Sequence, residues 1–136
     1  MEIIKLTGDD QRLYYLVAHL VTDEKVLKYN LNYPFKTSDS YCWFIAVEEG
    51  NTLGFIPVKL QDGKATINNY YIDGDDSKVF SMLLKEVVRE LQPDFIIDSI
   101  TQVRHIPDFE QSGFSILLRW KRYVKMRVFR NEKKRV

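Results

Sequence analysis

At 136 residues, 45% apolar and 29% charged, the chain has the length and composition of one globular domain, and about two-thirds of its unfolded surface can be buried without a disulfide staple. Its net charge of +1 is unevenly laid: residues 119–136 hold nine Lys/Arg and one Glu, giving +8 against −7 over residues 1–118. The single cysteine, Cys42, excludes an intrachain disulfide. No run approaches the ~20 apolar residues of a membrane-spanning helix, and the start Met1-Glu2-Ile3-Ile4-Lys5 lacks the basic-then-apolar pattern of a secretory signal. The expected protein has no membrane partner and works in the cytoplasm.

Glu2–Leu6 alternates as a short first strand does. Thr7-Gly8-Asp9-Asp10 then reads as a helix start with Thr7 as N-cap, followed by Leu13, Leu16, Val17 and Leu20 at helical spacing. Thr22-Asp23-Glu24 opens a second, short helix. Three strands follow: Cys42–Val47, Leu53–Leu60 and Ala65–Ile72, the last two joined by Asp62-Gly63, a hairpin signal because glycine takes positive φ freely. Asp73-Gly74-Asp75-Asp76 breaks the chain. Phe80, Leu83, Leu84, Val87, Val88 and Leu91 form one face of a helix that ends at Gln92-Pro93. A buried strand at Phe95–Ile100, a short helix at Ile106–Gln111 capped by Gly113, and a strand at Phe114–Leu118 come next. Finally Lys121, Tyr123, Lys125 and Arg127 alternate with Arg122, Val124, Met126 and Val128, the pattern of a strand with one basic face. The expected product is an α/β fold of the α+β type: residues 1–129 as one domain with a mixed central β-sheet flanked by helices, and a loose basic tail at 130–136.

Residues that could carry chemistry are sparse. His19 and His105 lack a second ligand at metal spacing, so no metal site is expected. Cys42 starts an apolar strand and reads as buried and inert. Tyr33, Pro34, Phe35 and Tyr41 enclose the loop after the second helix. Arg119, Lys121, Lys125 and Arg127, with Tyr123 among them, make a face able to contact nucleic-acid phosphates. Protection of a solvated edge strand by its Lys and Arg is the favoured reading of that row.

The element order, with Phe44–Ile56 over two strands and a Gly followed by an apolar residue, Thr66–Ile72, and Phe109-Glu-Gln-Ser-Gly-Phe114, resembles the GNAT (GCN5-related N-acetyltransferase) superfamily along most of the chain. The resemblance implies an acyl-CoA N-acyltransferase fold in which pantetheine lies between splayed fourth and fifth strands and a pyrophosphate rests on a helix N-terminus. On it, acetyl-CoA is the implied cofactor and a small-molecule or protein amine the implied acceptor. Tyr71, Ile72, Ser77, Lys78, Val79 and Gln102 fall at cofactor-binding positions. Tyr33, Phe35 and Tyr41 fall at acceptor-binding ones, and Asn68, Tyr70 and Tyr71 stand where catalytic groups are sought.

The sequence departs from that pattern at three places. Asp75-Asp76-Ser77-Lys78-Val79-Phe80 replaces the glycine-rich phosphate turn, Asn68 a Glu general base, and Phe109 a Tyr general acid. Two functions follow as expectations: an acyl-CoA-dependent N-acetyltransferase that binds acetyl-CoA weakly, or a GNAT-like binding protein that has lost catalysis and uses either the cleft between the fourth and fifth strands or its basic C-terminal strand, the latter suited to nucleic acid, for another ligand.

Overall fold

A computed structural model describes residues 1–129; the tail expected at 130–136 lies outside the described residues. The elements are β1 (Glu2–Thr7), α1 (Gln11–Val21), α2 (Glu24–Tyr29), β2 (Tyr41–Glu48), β3 (Asn51–Gln61), β4 (Lys64–Ile67), β5 (Tyr71–Ile72), α3 (Ser77–Leu91), β6 (Ile96–Gln102), α4 (Ile106–Gln111), β7 (Phe114–Arg119) and β8 (Tyr123–Val128). Short 3₁₀ turns at Asp73–Asp75 and Val103–His105 precede α3 and α4. All eight strands join one mixed sheet in the order β1-β2-β3-β4-β6-β8-β7, with β5 paired to β3. Only the β4–β6 pair is parallel, as the crossover through α3 requires. No helix of the described residues is long and apolar enough to cross a membrane.

Each helix is fixed by local chemistry and one apolar face. The expected N-cap of α1, Thr7, instead ends β1, and Asp10 caps the helix by accepting from the Arg12 N–H at 2.9 Å. A carboxylate there also favours the helix dipole. Asp23 caps α2 in the same way. Leu13, Val17 and Val26 pack on Trp43, Ile45 and Phe55, which covers one face of β1–β3. On the other side, Phe80, Leu83, Leu84 and Val87 of α3 are fully buried against Phe44, Ile56, Val58 and Ile67. Each such side chain contributes about 1.5–3 kcal/mol of burial.

Two expectations are corrected. The strand expected over Ala65–Ile72 is broken: β4, paired with both β3 and β6, ends at Ile67, and after Asn68–Tyr70 the chain resumes as β5 on β3 alone. The approach of β5 to β3 is close because Gly54 has no side chain; a Cβ there would lie 2.7 Å from the Tyr71 carbonyl oxygen. The second correction concerns β8, which is not an edge. It pairs with both β6 and β7, and β7 is the edge strand. Its cations therefore do not serve edge protection, and Lys121 lies in the turn before it. The alternation itself holds, with Val124 and Met126 buried and Tyr123, Lys125 and Arg127 partly exposed.

Gly54→Ala should push β5 off β3 and lower stability by about 1–3 kcal/mol, the usual cost of overpacking. Urea denaturation checks this; an unchanged midpoint would mean that β5 is free to shift.

Candidate functional site

The site begins where two strands part. β4 runs beside β6 through Thr66↔Asp98 and Ile67↔Ser99, and the pairing stops there. Asn68, Asn69 and Tyr70 leave β6, and the chain resumes as β5 paired with β3 alone. The divergence expected of the resemblance is thus present, but it is filled from within.

Tyr70 fills it. Its ring is buried against Phe80 and Phe109, with centroids 5.4 and 5.5 Å away. Its hydroxyl oxygen accepts from the Gln102 backbone N–H at 3.0 Å, which ties β6 back to the strand that left it. The same hydroxyl lies 2.7 Å from His105 Nδ1, and His105 Nε2 lies 2.8 Å from Asp75 Oδ1. One proton arrangement satisfies every group: Nε2–H donates to the carboxylate, and Nδ1 accepts from Tyr70. Asp75 also accepts from the Tyr29 hydroxyl at 2.6 Å and from Arg104 Nε at 3.1 Å. The Arg104 guanidinium lies 4.8 Å from the Tyr29 ring centroid and donates to Gln102 Oε1, while Gln102 Nε2 donates to the Tyr29 carbonyl. The ring of contacts therefore joins α2, the turn before α3, and the turn after β6.

The electrostatics agree with that arrangement. Burial pushes the His105 pKa down, more than Asp75 pulls it up, so the ring is neutral. Burial opposes the Asp75 charge, but hydrogen bonds from Tyr29 and His105, helped by Arg104, outweigh it and hold the carboxyl below its usual range. Burial raises the phenols of Tyr29 and Tyr70 well above the ordinary tyrosine value. Tyr71 is pushed up to about 12, by burial and then by the Asp73 charge. Burial likewise raises the thiol of Cys42.

The candidate residues are divided by this geometry. Of Asn68, Tyr70 and Tyr71, Asn68 is exposed, Tyr70 buried and Tyr71 half-buried, with its hydroxyl on Asp73 at 3.3 Å. Ile72 is fully buried beside β3. Ser77 and Lys78 are exposed on the first turn of α3, and Val79 is buried. The N–H groups of Lys78 and Val79 already donate to Asp76 Oδ1, at 2.9 and 3.2 Å. Phe109 is fully buried and has no proton to give.

The groups that would receive acetyl-CoA are already paired within the chain. The helix N-terminus that would receive a pyrophosphate is capped by Asp76 and fronted by the Asp75 carboxylate, and Phe80 fills the space behind it. The backbone N–H of Gln102, which faces the divergence, is taken by Tyr70.

On the other side of the divergence is an open cavity of about 520 Å³, bounded by Tyr33, Tyr41, Lys36, Lys59, Asn68 and Tyr123. The loop that carries Tyr33 is held in place by Asn30, whose Nδ2 donates to the Tyr33 carbonyl and to Asn69 Oδ1, each at 2.9 Å. Leu31 and Asn32 take positive φ to make that turn. Tyr33 and Tyr41 thus share one cavity, as the sequence suggests. Phe35 does not join them; it packs edge-on against Phe55 with centroids 5.1 Å apart. Sequence reasoning missed Tyr29 and the role of His105, because the contacts that bring Tyr29, Tyr70 and Asp75 to His105 span 30 to 76 positions and share no motif.

No family model matches the sequence. No curated protein matches it either. Solved structures do. An acyl-CoA N-acyltransferase from Pseudomonas aeruginosa superposes with a TM-score of 0.72 at 13% identity, over 95% of this chain and 100% of that one. Escherichia coli ElaA gives 0.73 at 14%, over 94% and 99%. The PaiA N-acetyltransferase from Thermoplasma acidophilum, solved in complex with coenzyme A, gives 0.60 at 15%, over 94% and 99%. The chain has the GNAT fold. The identity is low throughout, so what this GNAT-fold protein shares with those enzymes is architecture; the occupants of its cleft are its own.

Tyr70→Phe removes the partner of two buried groups, Gln102 N–H and His105 Nδ1, and should cost about 1–3 kcal/mol in urea denaturation. A change within ~0.3 kcal/mol would show that the hydroxyl bridges nothing. The pH dependence has a definite sign. His105 has its folded pKa below the unfolded value of about 6.5, so its contribution is full above about pH 6.5 and is lost as pH falls through the folded value. Asp75, also depressed, contributes above about pH 3.9 and loses that contribution below, as pH falls through its folded value. The urea midpoint should therefore drop from about pH 7.5 to 5, and His105→Gln should flatten the drop; an equal drop in both proteins would contradict the neutral ring.

Proposed function

We propose that this chain is a ligand-binding protein on the acyltransferase fold that does not work through acyl-CoA. The observation that carries the proposal is the Tyr70 hydroxyl bound to Gln102 N–H at 3.0 Å and His105 Nδ1 at 2.7 Å inside the strand divergence. A thioester cofactor threaded there would have to displace a buried phenol and break its contacts with both. It would also have to bring a pyrophosphate against Asp75 and Asp76. The chemistry around the cleft supports the same reading. Asn68 cannot accept a proton from an amine at neutral pH, and Phe109 cannot protonate a leaving thiolate. Function resides in the site and not in the fold. The open cavity beside Tyr33 and Tyr41 is where a ligand would enter.

A second reading is favoured by one observation, the superposition over 94–95% of the chain on proteins named as acyl- and acetyltransferases. In that reading the chain is an N-acetyltransferase of a small-molecule or protein amine, and acetyl-CoA would meet Tyr71, Ile72, Ser77, Lys78, Val79 and Gln102.

Isothermal titration calorimetry with acetyl-CoA separates the two. No heat of binding up to about 1 mM ligand, a regime weaker than about −4 kcal/mol, is the expected result. A micromolar dissociation constant, with acetyl transfer to any amine in a panel, would establish the second reading and end the first.

A further inference from the structure

The half of the sheet left bare by α1 and α2 carries a charge pattern that the closed cleft does not use. The residues paired across it are Tyr41↔Lys59, Lys59↔Thr66, Thr66↔Asp98 and Asp98↔Arg127, one on each of five successive strands. At ~4.8 Å between strands that row spans about 19 Å. One step along, Lys125 faces Ile100 and Tyr123 faces Gln102. Lys59, Thr66, Ile100, Tyr123 and Lys125 on this face are all partly exposed.

The charges of this face do not cancel. Asp98 is 2% exposed and holds Arg127 at 2.6 Å and Lys64 at 3.5 Å, so two cations meet one buried anion. Lys36, Lys59 and Lys125 form no ion pair among the described residues. Asp62, exposed in the β3–β4 turn, stands with Lys59 and Lys64 at one end of the face. Among the described residues no carboxylate lines the cavity beside Lys36 and Lys59. Three phenol rings, Tyr33, Tyr41 and Tyr123, line it with Pro34, Ile100 and the amides of Asn68 and Asn69.

We propose that this face binds single-stranded nucleic acid, with one base held in the cavity among Tyr33, Tyr41 and Tyr123 and the backbone phosphates following Lys36, Lys59 and Lys125. The inference rests on the reading above for placing the ligand in this cavity and not in the closed cleft. Three features select this partner. Rings on the wall of a cavity stack on a base only when that base is unpaired and free to enter, which disfavours a duplex. Lysines spaced along an extended face match a repeating anion better than a single carboxylate. The Asn68 amide offers both a donor and an acceptor to a base edge, as an acidic peptide would not require.

Fluorescence anisotropy with a labelled oligothymidine of about twelve nucleotides tests it on the whole chain. The strand should bind at about 50 mM salt and weaken steeply as salt rises. Lys59→Ala with Lys125→Ala should reduce the slope of log K against log salt by about 1.4, at ~0.7 per phosphate contact on a single strand. Tyr123→Ala should weaken binding about tenfold or more, and Tyr123→Phe should restore it. Lys85→Ala, on the exposed side of α3, should change nothing. Thermal midpoints of each variant separate loss of binding from loss of fold. No binding of the strand at low salt would overturn the proposal. So would an equal loss in the Lys85 variant, or binding of a duplex or of AMP as tight as that of the strand. Acetyl-CoA binding, by contrast, would remove the reading of the closed cleft and leave this site standing.

Discussion

The hydroxyl of Tyr70 is the contact on which the rest of the site depends. It is buried where β4 and β6 part, a place where the sheet has exposed its own backbone. A backbone N–H left unpaired in a buried position costs about 1–3 kcal/mol, and Tyr70 removes that cost at Gln102. To do so the phenol needs an acceptor for its own proton, which fixes His105 as the neutral Nε2–H tautomer. His105 in turn needs a carboxylate, which fixes Asp75 with φ of 52°. From one buried donor the chain of requirements reaches the turn before α3, and through Tyr29 it reaches α2.

The two devices of the acyltransferase fold, parted strands and a helix N-terminus facing them, are both present, and each is satisfied internally. Asp76 takes the first N–H groups of α3, as a carboxylate at that end of a helix dipole should. Asp75, beside it, is held charged by three donors. The result is a closed network of paired polar groups, in which every partner is costly to remove alone. The opposite side of the divergence is left open, bounded by Lys36, Lys59, Tyr33, Tyr41 and Tyr123.

Much of the architecture was legible because it is written in local patterns. The α3 face at Phe80, Leu83, Leu84 and Val87, the Asp62-Gly63 hairpin and the alternation of Tyr123–Val128 are periodic or turn signals, and each appears where the pattern puts it. The failures have physical causes. Ala65–Ile72 reads as one strand because periodicity cannot register the interruption at Asn68–Tyr70, where β6 is lost as a neighbour; Gly54 on the facing strand lets β5 return to β3. The row on β8 reads as edge protection because position in a sheet is set by long-range pairing, which places β7 outside it. Asp75 reads only as part of a chain break before a helix, because its partners Tyr29, Arg104 and His105 lie 29 to 46 residues away. Buried Asp98, between Lys64 and Arg127, was hidden inside an apolar strand for the same reason.

The state of the His105 ring is the most direct probe of the closed cleft. Its two nitrogens report on Tyr70 and Asp75 separately, and nitrogen-15 NMR resolves a protonated from an unprotonated ring nitrogen. The account predicts a neutral ring at neutral pH, with Nε2 carrying the proton and Nδ1 hydrogen-bonded but bare, and no change in either signal when acetyl-CoA is added in excess. A proton on Nδ1 would contradict the proton arrangement of the closed cleft, and a shift of both signals on addition of acetyl-CoA would show that the cleft opens to the cofactor.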